Sequence, residues 1–389
     1  MSEIKTQEIL FRKVVMEGTA YEAGKMQAEW IQNDPGAVKF FTSPLEGQNY
    51  PTPQEADQLL KFFDRHCPGV NEELQGFADT LHVPVEHIAY YTFSYSRGSH
   101  CSHLALLPAI TSDGHIYVGR SYEWSLQDDF RLCITRIKGK AAHLGFSLLQ
   151  FGRIDGINEH GLCVTMSGGC PQVQPLEDGC RFWAVIRTVL DRCKSVPEAL
   201  EVVQRIPIAF HLNLLLTDKH GEAALIEIFS SKRAVKRIGP HTVEQAIWST
   251  NHYNLPEMIQ YDLGRMWMSV VRYQKIASFL KEAGSKITRE QLRELLSKTI
   301  PEGLSCHYYN DYFGTLWSMI FDLTAGNVEV CFGSPAVNAQ AGAQWHTFGL
   351  SGPAGIETYP VKFPLETPEH PEQFFRKMAP GHYIFLPAN

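Results

Sequence analysis

Along the first hundred residues, apolar positions recur mainly at helical spacing. Residues 17–32 (EGTAYEAGKMQAEWIQ) carry a turn and then such positions, and residues 55–66 (EADQLLKFFDRH) continue them. Residues 69–93 show the same period, with Pro84 opening a short second helix. From residue 101 the period shortens toward two. Hairpins are expected around Asp113-Gly114, around Lys138-Gly139-Lys140 and around His160-Gly161, each between apolar alternating runs. Residues 179–206 read as two helices broken at Ser195-Val196-Pro197, followed by a hairpin turning at Lys219-His220-Gly221. Residues 245–253 (QAIWSTNHY) read as a buried strand ending in polar residues. An amphipathic helix closed by Gly284 follows, then a helix capped by Thr288, then a hairpin at Ala325-Gly326-Asn327. Tight turns between strand pairs disfavour a parallel doubly wound sheet. The pattern predicts an α+β fold with two antiparallel sheets between helical layers.

Composition narrows the function classes. The 389 residues are 44% hydrophobic and 20% charged, with net charge −7 and a pI near 6.1. No basic run is present, which argues against a nucleic-acid partner. No apolar stretch is long enough for a signal peptide or a membrane span, so a cytoplasmic location without membrane attachment is expected. The nine cysteines have no repeating spacing and read as mostly reduced, buried thiols. No internal repeat or low-complexity segment interrupts the chain.

One cysteine stands in suggestive company. Cys101, in Gly98-Ser99-His100-Cys101-Ser102-His103, opens the first strand of the β-rich region. If its hairpin turns at Asp113-Gly114, Arg120 and Glu123 fold back toward the sulfur. A guanidinium lowers a thiol pKa, and a carboxylate can hold an ammonium. The bland readings are a buried structural thiol and a surface ion pair. A metal site on His100 and His103 lacks a CxxC or HxxxH pair to complete it. Trp183, Trp248, Trp267, Trp317 and Trp345 read as core or pocket wall, and His307 and His346 show no partner.

Short motifs in a fixed order then give a resemblance. Residues 17–24 (EGTAYEAG), Cys101-Ser102, residues 119–124 (GRSYEW), residues 156–162 (GINEHGL), Thr250-Asn251-His252 and Ser269 to Arg272 each match a family signature. Together the chain resembles the acyl-coenzyme A:6-aminopenicillanic acid acyltransferase-like peptidases and, more distantly, the choloylglycine hydrolases, both N-terminal nucleophile hydrolases. The resemblance implies a four-layer αββα sandwich, and a helical prosegment or small subunit over 1–100 ahead of a catalytic domain over 101–389. It also implies self-cleavage after His100, which converts a zymogen into an enzyme whose N-terminal Cys101 carries both thiol and α-amine. That enzyme would be a linear amide C–N hydrolase or acyltransferase. Glu123 would orient the amine, Arg120 would favour thiolate, Asn251 would donate to the oxyanion and Arg272 would lie near the nucleophile.

The implied substrate is a small-molecule amide or acyl thioester, with no metal or organic cofactor. The cleaved N-terminal segment would stay bound as a partner, and the oligomeric state, a homo-oligomer included, is left open. Two departures bear on this. His100 stands where the acyltransferase relatives usually carry Gly, which restricts the strain that assists cleavage. Thr165 to Gly169 replaces the second asparagine of choloylglycine hydrolases, leaving Ser167 or a backbone N–H as substitute. An unprocessed, non-catalytic binding relative therefore remains open, as does a papain-like Cys–His hydrolase.

Overall fold

The computed structural model describes residues 6–44, 49–94, 100–126, 130–148, 151–169, 179–262, 265–339, 345–364, 377–379, 382–383 and 385–386. Gly98, Ser99 and Cys170 lie outside these. The strands are β1 (Thr6–Gly18), β2 (His100–Leu106), β3 (Tyr117–Trp124), β4 (Arg131–Ile137), β5 (His143–Leu148), β6 (Gly152–Arg153), β7 (Asp155–Asn158), β8 (Leu162–Gly168) and β9 (Leu212–Asp218). They continue with β10 (Ala223–Phe229), β11 (Lys232–Ile238), β12 (Ala246–Ser249), β13 (Arg265–Met266), β14 (His307–Tyr308), β15 (Phe313–Asp322), β16 (Asn327–Phe332), β17 (His346–Phe348) and β18 (Gly355–Pro364).

Two sheets face each other. The larger runs β11-β10-β9-β8-β7-β5-β4-β1-β18, with β6 beside β5, and the smaller runs β12-β2-β3-β15-β16-β17, with β14 beside β15. Phe146 of the larger sheet stacks on Trp317 of the smaller at 3.8 Å, and Trp317 stacks on Tyr122 at 4.1 Å, so aromatic rings fill the space between them. Helices α6 (Phe182–Arg192) and α7 (Val196–Arg205) cover the larger sheet; α9 (Trp267–Ala283) and α10 (Arg289–Ser297) cover the smaller. This is an αββα sandwich. The short α8 (Pro256–Ile259) and α11 (Pro335–Asn338) finish loops. The predicted turns fall where expected; Gly114, at φ +73°, adopts the left-handed geometry that its hairpin needs.

The first hundred residues differ from the helical expectation. Helices α1 (Ala20–Glu29), α2 (Pro35–Thr42), α3 (Pro53–His66), α4 (Val70–Leu81) and α5 (Val85–Ser94) are present, and capping boxes at Thr19/Glu22 and Thr52/Glu55 fix the starts of α1 and α3. Ahead of them, however, β1 is an interior strand of the larger sheet, parallel to β4 and antiparallel to β18. Its partner β18 comes from the far end of the chain, so no local pattern announces the pairing. Buried charge ties the helices on as well. Arg187 of α6 meets Glu73 of α4 at 2.9 Å and Asp191 at 3.0 Å, and Gln27 Nε2 donates to Glu73 at 2.6 Å.

Candidate active site

Cys101 lies at the start of β2, fully buried. Antiparallel pairing sets Cys101 opposite Tyr122, His103 opposite Arg120, and His100 opposite Glu123. Side chains directly opposite share a face, and successive residues alternate. Cys101, His103, Tyr122 and Arg120 therefore point between the sheets, whereas His100 and Glu123 point toward α9.

On the inner face, the Arg120 guanidinium lies near enough to the Cys101 thiol to interact with it electrostatically, and its Nε lies 3.3 Å from Asp155 Oδ2, a carboxylate of the opposite sheet. Asp155 is held by the Phe146 N–H at 3.1 Å and by Trp317 Nε1 at 3.2 Å. A Cβ at Gly145 would sit 1.9 Å from the Asp155 carbonyl, so only glycine lets β5 and β7 approach this closely here. Burial works against the Arg120 charge, but Cys101 and Asp155 outweigh it and its pKa lies above the ordinary value. Burial pushes the Asp155 carboxyl up against the pull of Arg120. His103 Nδ1 lies 2.8 Å from Thr165 Oγ1, and burial with Arg120 nearby holds this histidine well below its usual pKa.

The outer face is organised by α9. Ser269 and Arg272 stand three apart on one side of the helix and grip Asn251 from two directions. The Asn251 N–H donates to Ser269 Oγ at 2.6 Å, and Arg272 Nη2 donates to Asn251 Oδ1 at 2.7 Å. The same Oδ1 accepts the Cys101 backbone N–H at 2.9 Å, while Asn251 Nδ2 donates to the Gly168 carbonyl at 3.1 Å. Arg272 Nη1 donates to the Cys101 carbonyl at 2.5 Å and to Ser102 Oγ at 2.9 Å, and lies 3.5 Å from Glu123 Oε2. Burial pushes the Glu123 carboxyl up despite Arg272, and holds Arg272 below its ordinary value despite Glu123. Burial, then Arg272, drives His100 down to about 3, so its ring is neutral.

All five residues singled out in the sequence converge here, but not all on the sulfur. Arg120 shares its face; Glu123 sits on the other face, against Arg272 and Ser121 Oγ, because the register pairs it with His100. The Cys101 nitrogen is held by Asn251 rather than by a carboxylate. Ser167 donates its only hydroxyl proton to the Thr250 carbonyl, which removes it as a substitute oxyanion donor. Sequence reasoning missed Asp155 and Asn213; Asn213 Nδ2 donates to the Thr250 carbonyl at 2.9 Å and so anchors the turn that carries Asn251. Asp155 immediately precedes the GINEHGL motif, which was the available signal. Elsewhere, His307 meets Ser334 Oγ at 2.8 Å and His346 packs among Phe332, Phe348 and Tyr359, while Trp267 is exposed rather than core. Among the described residues no group of three or more His, Cys, Asp or Glu side chains is placed to hold a metal ion, and no helix is long and apolar enough to cross a membrane.

The family model for acyl-coenzyme A:6-aminopenicillanic acid acyl-transferase matches residues 111–337, more than half of the chain. The chain belongs to this acyltransferase family. The matched segment holds Arg120, Glu123, Asp155, Asn251 and Arg272, and Cys101 lies just ahead of it. Among solved structures, the acyltransferase-family chain is similar to the Caenorhabditis elegans N-acylethanolamine-hydrolyzing acid amidase ortholog, at 17% identity and TM-score 0.41 over 58% of this chain and 93% of that one. It is also similar to a variant of the conjugated bile acid hydrolase from Clostridium perfringens, at 15% identity and TM-score 0.42 over 69% and 99%. Penicillin V acylase from Agrobacterium tumefaciens gives 14% identity and TM-score 0.36 over 60% and 83%. No curated protein sequence matches the chain.

Proposed function

We propose that the chain is an autoproteolytic N-terminal cysteine hydrolase or acyltransferase acting on a linear amide or an acyl thioester. One observation carries this reading. At Cys101 a sulfur beside a guanidinium and a backbone nitrogen held by Asn251 Oδ1 belong to the same residue. In the precursor, Cys101 Sγ attacks the His100 carbonyl; the C–N bond breaks, the nitrogen takes the thiol proton, and a thioester forms. Water hydrolyses it, leaving a carboxylate on His100 and a free α-amine on Cys101, whose reference pKa is about 7.7–8.0. The amine then takes the thiol proton as the sulfur attacks a substrate carbonyl, and returns it to the departing amine. Water or an acceptor amine releases the acyl group.

The residues divide this work. Arg120 favours thiolate from the inner face, and Asp155 holds Arg120 in position. Asn251 Oδ1 keeps the amine oriented, and its amide nitrogen is the oxyanion donor. Arg272 positions Asn251 and the Cys101 carbonyl, and Glu123 acts through Arg272. Residues 1–100 form the small subunit and residues 101–389 the catalytic part, with β1 retained in the larger sheet after cleavage. The enzyme needs no cofactor for this chemistry, and a cytoplasmic location fits it.

The test is turnover of a panel of N-acyl amides and one acyl thioester by wild type and by Cys101→Ala, with iodoacetamide labelling of each cysteine. Wild type should release amine or thiol and label first at Cys101, and the variant should do neither. No turnover, together with Cys101 labelling no faster than the other thiols, would favour a non-catalytic relative. One observation points that way: the bulky His100 ring is buried near Trp124 and Phe313, where a processing site favours small residues.

A further inference from the structure

We propose that Cys67 and Cys180 are a redox-responsive pair that closes into a disulfide and joins the N-terminal helices to the body of the sandwich. Their sulfurs are 3.5 Å apart, and both residues are almost wholly buried. Both backbones are pinned. Cys67 caps α3, its N–H donating to the Phe63 carbonyl at 2.7 Å. Cys180 precedes α6; its N–H donates to the Pro207 carbonyl at 2.8 Å, and its own carbonyl accepts the Ala209 N–H at 3.0 Å. A disulfide bond is about 2.05 Å long, so closure requires side-chain rotation that shortens the gap by roughly 1.5 Å.

The chemistry of the pair is asymmetric. The hydrogen bond between the two sulfurs, in which either S–H can donate, lowers the Cys67 pKa, whereas burial raises that of Cys180. Cys67 attacking with Cys180 resolving, or the reverse, gives the same bond. The oxidant class is a hydroperoxide, small enough to reach a buried sulfur. In the first order, the Cys67 thiolate attacks the terminal peroxide oxygen, giving a sulfenic acid and an alcohol, or water from hydrogen peroxide. The Cys180 sulfur then attacks the Cys67 sulfur; the S–S bond forms, and the sulfenic oxygen leaves as water with the Cys180 proton. Two thiols are oxidised by two electrons, and one peroxide is reduced.

The bond would cross the seam already held by Glu73 and Arg187. Cys67 precedes Cys101 in the chain and Cys180 follows it, so on the processing reading above the bridge would keep both fragments covalently joined. Formation of the bond itself does not depend on that reading.

The folded wild type, treated with hydrogen peroxide or tert-butyl hydroperoxide, is quenched by alkylation, digested without reduction and mapped by mass spectrometry. The expected product is a peptide pair linking Cys67 to Cys180, lighter by two hydrogens, that separates on adding dithiothreitol. The oxidised protein should also unfold at higher denaturant concentration, and the gain should vanish on reduction and in Cys67→Ser or Cys180→Ala. If Cys67 and Cys180 are instead recovered only as separate alkylated or over-oxidised peptides, even after oxidation in a glutathione buffer at partly unfolding denaturant, the proposal is overturned. Mapping reads the bond in a cut or an uncut chain, so failure of self-cleavage and failure of the bridge give different results.

Discussion

At the residue scale, Arg120 and Asn251 make separable contributions. Removing the guanidinium takes a positive charge away from the sulfur, which disfavours thiolate and raises the thiol pKa. Arg120→Met should therefore shift the pH midpoint of Cys101 alkylation upward by about one unit or more, with reactivity at neutral pH falling accordingly. Asp155→Asn loosens the clamp without removing the charge; it should lower kcat with little change in KM, and Asp155→Glu should recover part of the loss. An unchanged alkylation profile in Arg120→Met would mean that the guanidinium does not act on the sulfur. Asn251→Ala removes both the acceptor for the Cys101 nitrogen and the amide donor, and should reduce turnover by roughly 10²–10³-fold. Much at this scale was legible. Cys101, Arg120, Asn251 and Arg272 fall in motifs, and their types suit the chemistry. Arg120 and Glu123 were both expected near the sulfur, but residues three apart on a strand point to opposite faces, so Glu123 meets Arg272 instead. Asp155 and Asn213 reach the site from the other sheet; the motif beside Asp155 marks its place in the chain, but nothing local says what either residue faces across the sheets.

At the element scale, α4, α6 and the β4–β5 turn share one buried charge network. Glu73→Gln would remove one of the two carboxylates that Arg187 meets, leaving Asp191 and the Phe151 carbonyl, and should destabilise the fold by about 3–5 kcal/mol in denaturant titrations. His143 Nε2 lies 3.0 Å from Asp191 Oδ1, yet burial drives its pKa down to about 3. Arg187 and Lys140 hold the Asp191 carboxyl below the usual range against the cost of burial. The sign follows for the histidine. Between an unfolded value of about 6.5 and the folded value near 3, the unfolded chain binds a proton that the folded chain refuses. Its contribution is intact above about pH 6.5 and falls by up to about 1.4 kcal/mol per unit on acidification. His143→Gln should flatten that slope in urea melts across the window, and an unaltered slope would assign it to other groups. The helices here were readable from apolar spacing and capping residues. β18 was not, since most of its residues are exposed and only its pairing with β1 makes it a strand.

At the scale of the whole molecule, the N-terminal segment cannot be treated as a detachable leader. β1 lies between β4 and β18, and α4 is bound to α6 by buried charge. After cleavage the two fragments should elute together on gel filtration and separate only in denaturant; a small fragment that elutes alone from native protein would contradict this. The layered α+β class was visible in the alternation of periods along the chain, whereas the mixed larger sheet depended on contacts between the chain's two ends. The central claim is that Cys101 acts with a backbone nitrogen that its own chemistry liberates. Intact-mass measurement of freshly purified wild type and Cys101→Ala tests it most directly. Wild type should resolve into two fragments divided between His100 and Cys101, with the variant whole. A wild-type chain that stays whole after prolonged incubation across acid and neutral pH would contradict the account.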